Sequence, residues 1–179
     1  AGGMPFLSAL PLDVVGATLA RLVAEHGTVA MQYGSGQGDP GLRERIIDVM
    51  APQQVNAHAD DVVVTTGSQQ ALDLVTRIFV DPGDVVVAEA PSYVGALGVF
   101  RAYQADVVHV PLDDDGLIPE ALEDTLDRLA RDGRRVKLLY TVPNHHNPAG
   151  VTLAQSRRSR IVEIARRHGV LILEDDPYG

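Results

Sequence analysis

Three short stretches in the second half of the chain carry residues that could do chemistry, and each follows an apolar run. Gly67-Ser68-Gln69 comes after Val62-Val63-Val64-Thr65-Thr66 and opens a segment of helical spacing. Backbone N–H groups and the helix dipole at such a junction favour a phosphate. Gly67 would let the backbone come close, and the Ser68 hydroxyl would add a donor. An ordinary strand-to-helix turn with a serine cap has the same residues. Asp175 closes Val170-Leu171-Ile172-Leu173. Ligands of open α/β sheets sit outside the carboxyl ends of the strands. A carboxylate there could pair with a protonated ring nitrogen and keep the ring an electron sink. Glu174, Asp175 and Asp176 could instead suggest a metal, but neighbouring strand residues point to opposite faces, so at most two converge. A solvated acidic loop is the third reading.

Asn147 precedes Pro148, which biases it away from helix, and its amide could donate to a ring oxygen. Asn-Pro is also a common turn dipeptide. Tyr93, in Pro91-Ser92-Tyr93, could stack on a flat ring or be a core or rim aromatic. His145-His146 invites zinc, but two adjacent histidines without a third spaced ligand make a weak site, so no metal is expected. Two other patterns fail on spacing. Gly34-Ser35-Gly36-Gln37-Gly38 has no strand before it, as a dinucleotide loop requires. Asp113-Asp114-Asp115-Gly116 lacks the later glutamate of a calcium loop, since Glu120 comes too soon.

The elements that must position these residues alternate from Asp61 onward. Val62–Thr66, Val85–Ala88, Val107–Val110, Val136–Val142 and Val170–Leu173 read as strands. Between them lie helical spacings at Ala71, Leu74, Val75, Ile78 and Phe79, then at Leu122, Leu126 and Leu129 after Pro119, then at Ile161, Ile164 and Ala165. Thr152 and Gln155 fit a capping box for the last of these, and Gly169 its end. The strands are almost wholly apolar, the mark of burial on both faces, so the expected fold is α/β: three α/β/α layers with a mostly parallel sheet. The first part differs. Pro11–His26 has helical spacing, and Asp39-Pro40 looks like the cap and first position of a short helix holding Leu42, Ile46, Ile47 and Met50.

Composition narrows the function classes. The chain has 179 residues, enough for one domain with a real core, and a formal net charge of −9, so no basic footprint for nucleic acid or an anionic membrane is visible. Without cysteine there is no disulfide, thiol nucleophile or cysteine-based metal site. No run approaches the ~18 apolar residues of a membrane span. The first residues lack the pattern of a secretory signal, and a cytoplasmic protein is the expectation.

Taken in order, five stretches resemble the class I/II aminotransferases of fold type I that depend on pyridoxal phosphate. They are Tyr33-Gly34 through Arg43, Thr66–Leu72, Ala90–Ala96, Pro143–Gly150 and Glu174–Tyr178. The likeness is greatest to the 2-aminoadipate, kynurenine and aromatic aminotransferase subgroup, and it covers essentially the whole chain. It implies pyridoxal 5'-phosphate as cofactor, with Ser68 and Gln69 on the phosphate and Tyr93 stacked on the ring. Asn147 and Tyr178 would bond the phenolic oxygen, and Asp175 would face the pyridine nitrogen. Tyr33 would reach the phosphate of a neighbouring subunit, which implies a homodimer, and Gly3 would border the substrate. The implied reaction moves an amino group from an amino acid to a 2-oxo acid by a ping-pong route. Residues 1–55 are expected to form an N-terminal arm and helices on the substrate and dimer side, and residues 56–179 the first part of the cofactor-binding large domain.

The departures define the expectation further. The family's Schiff-base lysine lies beyond the position of Gly179, and so does the arginine that clamps the substrate carboxylate. Lys137 is the one lysine here, and it reads as a solvated residue at a strand start. His146 stands where the subgroup commonly has Gln, and Ala149 where Thr is usual. The expectation is a fragment of a chain about twice as long, inactive alone, with its first strand unpartnered and its fifth a bare edge. Two rivals remain: an aminotransferase-like effector domain of a winged-helix transcriptional regulator, and a catalytically dead scaffold.

Overall fold

Most of the apolar runs become strands of one sheet, and the helical periods cover its two faces. The computed structural model describes residues 6–178, so Gly3 lies outside the described residues. The chain divides into two units, the first running to Thr65 and the second starting at Thr66.

In the first unit, helix α1 spans Leu12–Ala30 and leaves helical geometry at His26. Its apolar stripe, including Leu12, Val15, Leu19 and Val23, is exposed. Helix α2 spans Pro40–Met50. It starts as the sequence suggests: the Asp39 carboxylate accepts the Leu42 N–H at 3.0 Å, and Pro40 occupies the first turn. The glycine-rich stretch is a packed turn. Gly38 has φ +105°, and a Cβ there would lie 2.6 Å from Cβ of Val64. The Gln37 carbonyl accepts the Val64 N–H at 2.9 Å.

That contact bears on the one strand the structure does not form. Residues 62–65 follow a short 3-10 turn, Ala59–Asp61, but join no sheet. A strand needs a ladder partner for its N–H and C=O groups. No described strand of the sheet pairs with this run, and the Val64 N–H bonds the Gln37 carbonyl instead.

The second unit contains α3 (Ser68–Phe79), β1 (Val85–Ala90), α4 (Val94–Ala102), β2 (Asp106–Asp113), β3 (Gly116–Leu117), α5 (Pro119–Arg131), β4 (Val136–Thr141), α6 (Gln155–Arg167) and β5 (Leu171–Glu174). The sheet order is β3-β2-β1-β4-β5. Pairs β1–β2, β1–β4 and β4–β5 are parallel, and β2–β3 is an antiparallel hairpin. On one face Val85, Val87, Val110 and Leu139 pack with Leu122, Leu126 and Leu129 of α5 and Ile161, Ile164 and Ala165 of α6. On the other, Val86, Ala88, Leu138 and Tyr140 pack with Leu72 of α3 and Ala96, Val99 and Phe100 of α4. Alternate residues of each central strand therefore enter different cores, which explains why these strands are apolar throughout. This is the expected three-layer α/β/α arrangement.

Two local readings need correction. No capping box opens α6. Its first residue is Gln155 and its N-cap is Ala154, and the Thr152 hydroxyl accepts the His145 N–H at 3.1 Å in the preceding loop. Lys137 is the second residue of β4, but it is not solvated. Its side chain is 18 % exposed, with Nζ 3.0 Å from the Asp84 carboxylate and donating to the Phe79 carbonyl at 3.1 Å. Among the described residues no helix is long and apolar enough to cross a membrane.

Candidate active site

The carboxyl ends of β1, β4 and β5 lie side by side in the sheet, and every predicted site residue of the second unit belongs to one of these ends or to the start of α3. Helix α3 begins at Ser68, and Gly67 at its N-cap has φ +78°, a conformation that glycine adopts without strain. The Thr66 N–H is held by the Gln70 side chain at 2.6 Å, which folds the entry to the helix. First-turn N–H groups, such as those of Ser68 and Gln69, have no intrahelical acceptor and can serve an anion. The Gln69 side chain donates to the Gly95 carbonyl at 3.4 Å. Gly95 in turn lies under the Tyr93 ring: a Cβ at residue 95 would meet Cε1 of Tyr93 at 2.5 Å. The start of α3 and the Tyr93 ring are thus neighbours, joined through Gly95.

Asp175 lies one residue past β5, and strand alternation decides which way it faces. In the β4–β5 ladder Tyr140 pairs with Leu173 and Thr141 with Glu174. Leu173 and Tyr140 belong to the α3–α4 core, so Asp175, two residues beyond Leu173, faces the same side. Its N–H donates to the Thr141 carbonyl at 2.9 Å, and its Oδ2 accepts the Tyr140 hydroxyl at 2.8 Å. The carboxylate is therefore held on the face that carries α3 and Tyr93. Burial pushes the Tyr140 hydroxyl well above the usual phenol range, and the neighbouring Asp175 adds to that, so Tyr140 stays a donor. Asp176 turns elsewhere and accepts the Asn144 amide at 2.8 Å, while Asn144 Oδ1 accepts from Arg158 at 2.9 Å.

The loop after β4 presents Asn147, half-buried, with no side-chain hydrogen bond among the described residues. Tyr178 is exposed and meets the His145 ring edge-on at 6.3 Å. Tyr33 belongs to the first unit, where it is 99 % exposed.

Sequence reasoning missed the group that pins this loop. Glu89, at the end of β1, is 1 % exposed. Its Oε1 accepts the Thr141 hydroxyl at 2.8 Å and its Oε2 the Val142 N–H at 2.9 Å. His146, 2 % exposed, brings Nε2 to 3.0 Å of Oε2, though out of line for a good hydrogen bond. The Ala149 N–H donates to Nδ1 at 3.3 Å, which leaves the ring proton for Nε2, facing the carboxylate. The signal was available: an acid ending an otherwise apolar strand, Val85-Val86-Val87-Ala88-Glu89. His146 is thus a loop anchor. The acidic run at Asp113 also has a partner of its own, since Arg157 forks onto both oxygens of Asp113 at 2.6 and 2.9 Å.

The donor set fits a phosphorylated pyridine. It offers an anion-binding helix start, an aromatic ring beside it, an unpaired amide, and a carboxylate with one oxygen fixed. Ser68 and Gln69 would hold the phosphate, Tyr93 the ring face, Asn147 the phenolic oxygen and Asp175 the ring nitrogen.

Comparison with known proteins gives the family. The sequence profile of the family described as aminotransferase class I and II matches residues 1–179. The aromatic-amino-acid aminotransferase 1 of Thermococcus litoralis is 40 % identical over 180 residues, which cover 100 % of this chain and 43 % of that protein. A crystal structure of the Pyrococcus horikoshii kynurenine aminotransferase, in complex with PMP, superposes with a TM-score of 0.93 at 40 % identity, covering 100 % of this chain and 44 % of that one. A transcriptional regulator of the helix-turn-helix type from Escherichia coli, YjiR, is 31 % identical over 98 % of this chain and 36 % of its own length. The chain spans less than half the length of these proteins. On its profile, its fold and its relatives, it belongs to the class I and II aminotransferases, with the layered sheet of their fold-type I structures.

Proposed function

We propose that the whole protein transfers an amino group from an amino acid to a 2-oxo acid with pyridoxal 5'-phosphate, by a ping-pong route. The observation that carries this reading is the orientation of Asp175. Of the three consecutive acids after β5 begins, the one on the α3–α4 face has its carboxylate fixed there by Tyr140. When bound, the cofactor supplies an electron-withdrawing ring that stabilises negative charge at the substrate α-carbon. The chain's own residues do the holding. Ser68 and Gln69 retain the phosphate, Tyr93 covers the ring, and Asn147 and Tyr178 hold the phenolic oxygen. Asp175 keeps a proton on the ring nitrogen.

Lys137 has no part in this. It pairs with Asp84 at the amino end of β4, about 13 Å along the strand from Thr141. We assign the covalent anchor, and the base that moves the α-proton, to the part of the relatives' length that this chain does not span. The exposed stripe of α1 and the exposed Tyr33 support a role for the first unit in docking a second copy, with Tyr33 serving the partner's phosphate. Residues 1–55 then form the arm on the substrate and dimer side, and 56–179 the start of the cofactor domain.

The likeness to a transcriptional regulator favours a second reading, an aminotransferase-like effector domain behind a winged-helix reader. The complete open reading frame separates the two: a basic helix-turn-helix segment upstream marks the regulator. The enzyme reading is tested on the full-length protein by titration with pyridoxal 5'-phosphate, followed by amino-group transfer across a panel of amino acids. Saturable binding that Asp175→Asn and Asn147→Ala both weaken is expected, with transfer lost in Asp175→Asn. Binding that neither substitution affects would overturn the site.

A further inference from the structure

We infer that Tyr140 is a positioning residue for Asp175: its hydroxyl holds one carboxylate oxygen so that the other is left to face the ring nitrogen. The inference rests on the cofactor reading above and adds to it a residue near the carboxyl end of β4.

The geometry gives the hydroxyl one role. Tyr140 sits in β4, paired with Ala88 of β1 on one side and Leu173 of β5 on the other. The side chain is fully buried, and its ring packs edge-on against Phe100, with centroids 5.4 Å apart at 72°. A buried phenol needs a partner for its O–H, and here that partner is Oδ2 of Asp175 at 2.8 Å. The other oxygen of Asp175 accepts no hydrogen bond among the described residues. A phenylalanine would fill the same space, so packing alone does not require the hydroxyl. Because β5 ends at Glu174, the ladder does not hold the Asp175 side chain. The Tyr140 bond does, and it reaches from a strand with neighbours on both sides.

The geometric consequence follows. A donor bound to one carboxylate oxygen fixes the direction of the other. With Oδ2 held by Tyr140, the other oxygen is free to accept the ring N–H; without that bond the side chain past the end of β5 can turn away and the ring nitrogen loses its acceptor.

The test uses the full-length protein loaded with pyridoxal 5'-phosphate labelled with 15N in the ring, comparing wild type, Tyr140→Phe, Asp175→Asn and the double variant. In Tyr140→Phe the ring-nitrogen resonance should move toward the unprotonated position, and cofactor affinity should weaken about tenfold to a hundredfold, the range for a hydrogen bond to a charged group. In the Asp175→Asn background the same substitution should change affinity less than about threefold, since the bond to a charge is already gone. A merely structural tyrosine would lower the melting temperature and leave the resonance in place. Should Tyr140→Phe fail to fold, replacement of Tyr140 by difluorotyrosine keeps the shape and strengthens the donor. The resonance must then move toward the protonated side, and no movement overturns the inference. An unshifted resonance in Tyr140→Phe, with Asp175→Asn losing both signal and affinity, leaves the site intact and removes Tyr140 from it. No saturable binding by wild type removes the site itself, and Tyr140's role with it.

Discussion

Replacing Glu89 separates the worth of its hydrogen bonds from the worth of its charge. The carboxylate is buried and receives the Thr141 hydroxyl, the Val142 N–H and the close approach of His146 Nε2. Glu89→Leu keeps most of the volume, leaves the Thr141 hydroxyl and the Val142 N–H without an acceptor, and removes the carboxylate beside His146 Nε2. Each orphaned buried group costs about 1–3 kcal/mol, and breaking a buried pair from one side costs about 3–5 kcal/mol. Relaxation of the loop relieves part of that, so about 4 kcal/mol is expected. Glu89→Gln behaves differently. Its carbonyl oxygen can take the place of Oε2, accept from Val142 and stay beside His146. Its NH2 can take the place of Oε1 and donate to the Thr141 hydroxyl, which rotates to accept. Every partner stays satisfied and only the charge is lost, for about 1 kcal/mol. At ~3 °C per kcal/mol for a chain of this size, the melting temperature should fall by ~12 °C in Glu89→Leu and ~3 °C in Glu89→Gln. Denaturant midpoints at constant m-value would confirm that stability changed and not compactness. Equal losses in the two variants would refute the reasoning, because the charge and not the satisfied donors would then hold the loop.

Other substitutions test neighbouring arguments. His146→Gln should cost under ~1 kcal/mol, since an amide can donate to Glu89, whereas His146→Leu should cost ~2–3 kcal/mol in a denaturant melt. Gly116→Ala should cost ~2–4 kcal/mol, because Gly116 has φ +86° and an added Cβ would lie 2.8 Å from Cα of Leu153. Gly95→Ala should weaken pyridoxal 5'-phosphate binding about tenfold with little change in melting temperature, because the Tyr93 ring must leave its seat; unchanged affinity would remove Tyr93 from the site. Acid should destabilise the protein in part through Asp84. Partial burial alone would raise its carboxyl, but the Asp81 N–H and the Lys137 ammonium outweigh burial and hold it below the usual carboxylate range. A depressed carboxylate contributes stability above its unfolded pKa, and that contribution is lost as pH falls through the folded value. Asp84→Asn should therefore flatten the fall in melting temperature below ~pH 4, the unperturbed carboxylate range.

Most of the fold was legible because the strands of a doubly covered sheet must be apolar on both faces, and Val85–Ala88, Val136–Val142 and Val170–Leu173 are. The helix starts that depend on one local bond, such as Asp39 on Leu42, were legible too. The run at Val62 shows the limit: a β-branched run states a preference, but a strand forms only where another segment completes its ladder, and the partner expected to be missing here leaves it unformed. Thr152 failed for a similar reason, since its hydroxyl had a better donor in the loop than the helix start offered. At the site, Asp175, Asn147 and the Gly67 turn stood out because polar residues at strand ends are conspicuous. Tyr140 and Glu89 did not. Tyr140 sits inside an apolar run; Glu89 ends one and could have been noticed, but the role of each arises only when β1, β4 and β5 lie side by side.

The position of Asp175 raises a physical problem that the sheet solves from the centre outward. Among the described residues β5 is an edge strand, paired to β4 through four residues and exposing Leu171 and Ile172. A slip of one residue would put Glu174 or Asp176 on the α3–α4 face in place of Asp175, and an acid would still be present. Composition therefore cannot protect the register, and geometry must. Past the last ladder pair, three bonds fix it: Asp175 N–H to the Thr141 carbonyl, Tyr140 to the Asp175 carboxylate, and Asn144 to Asp176. All three reach back to β4 or to the loop that follows it, and none depends on a neighbour beyond β5. The Glu89 cluster fixes that same loop from the opposite face of the sheet, through Thr141 and Val142, so the strand that registers the acid is the one tied down from both cores.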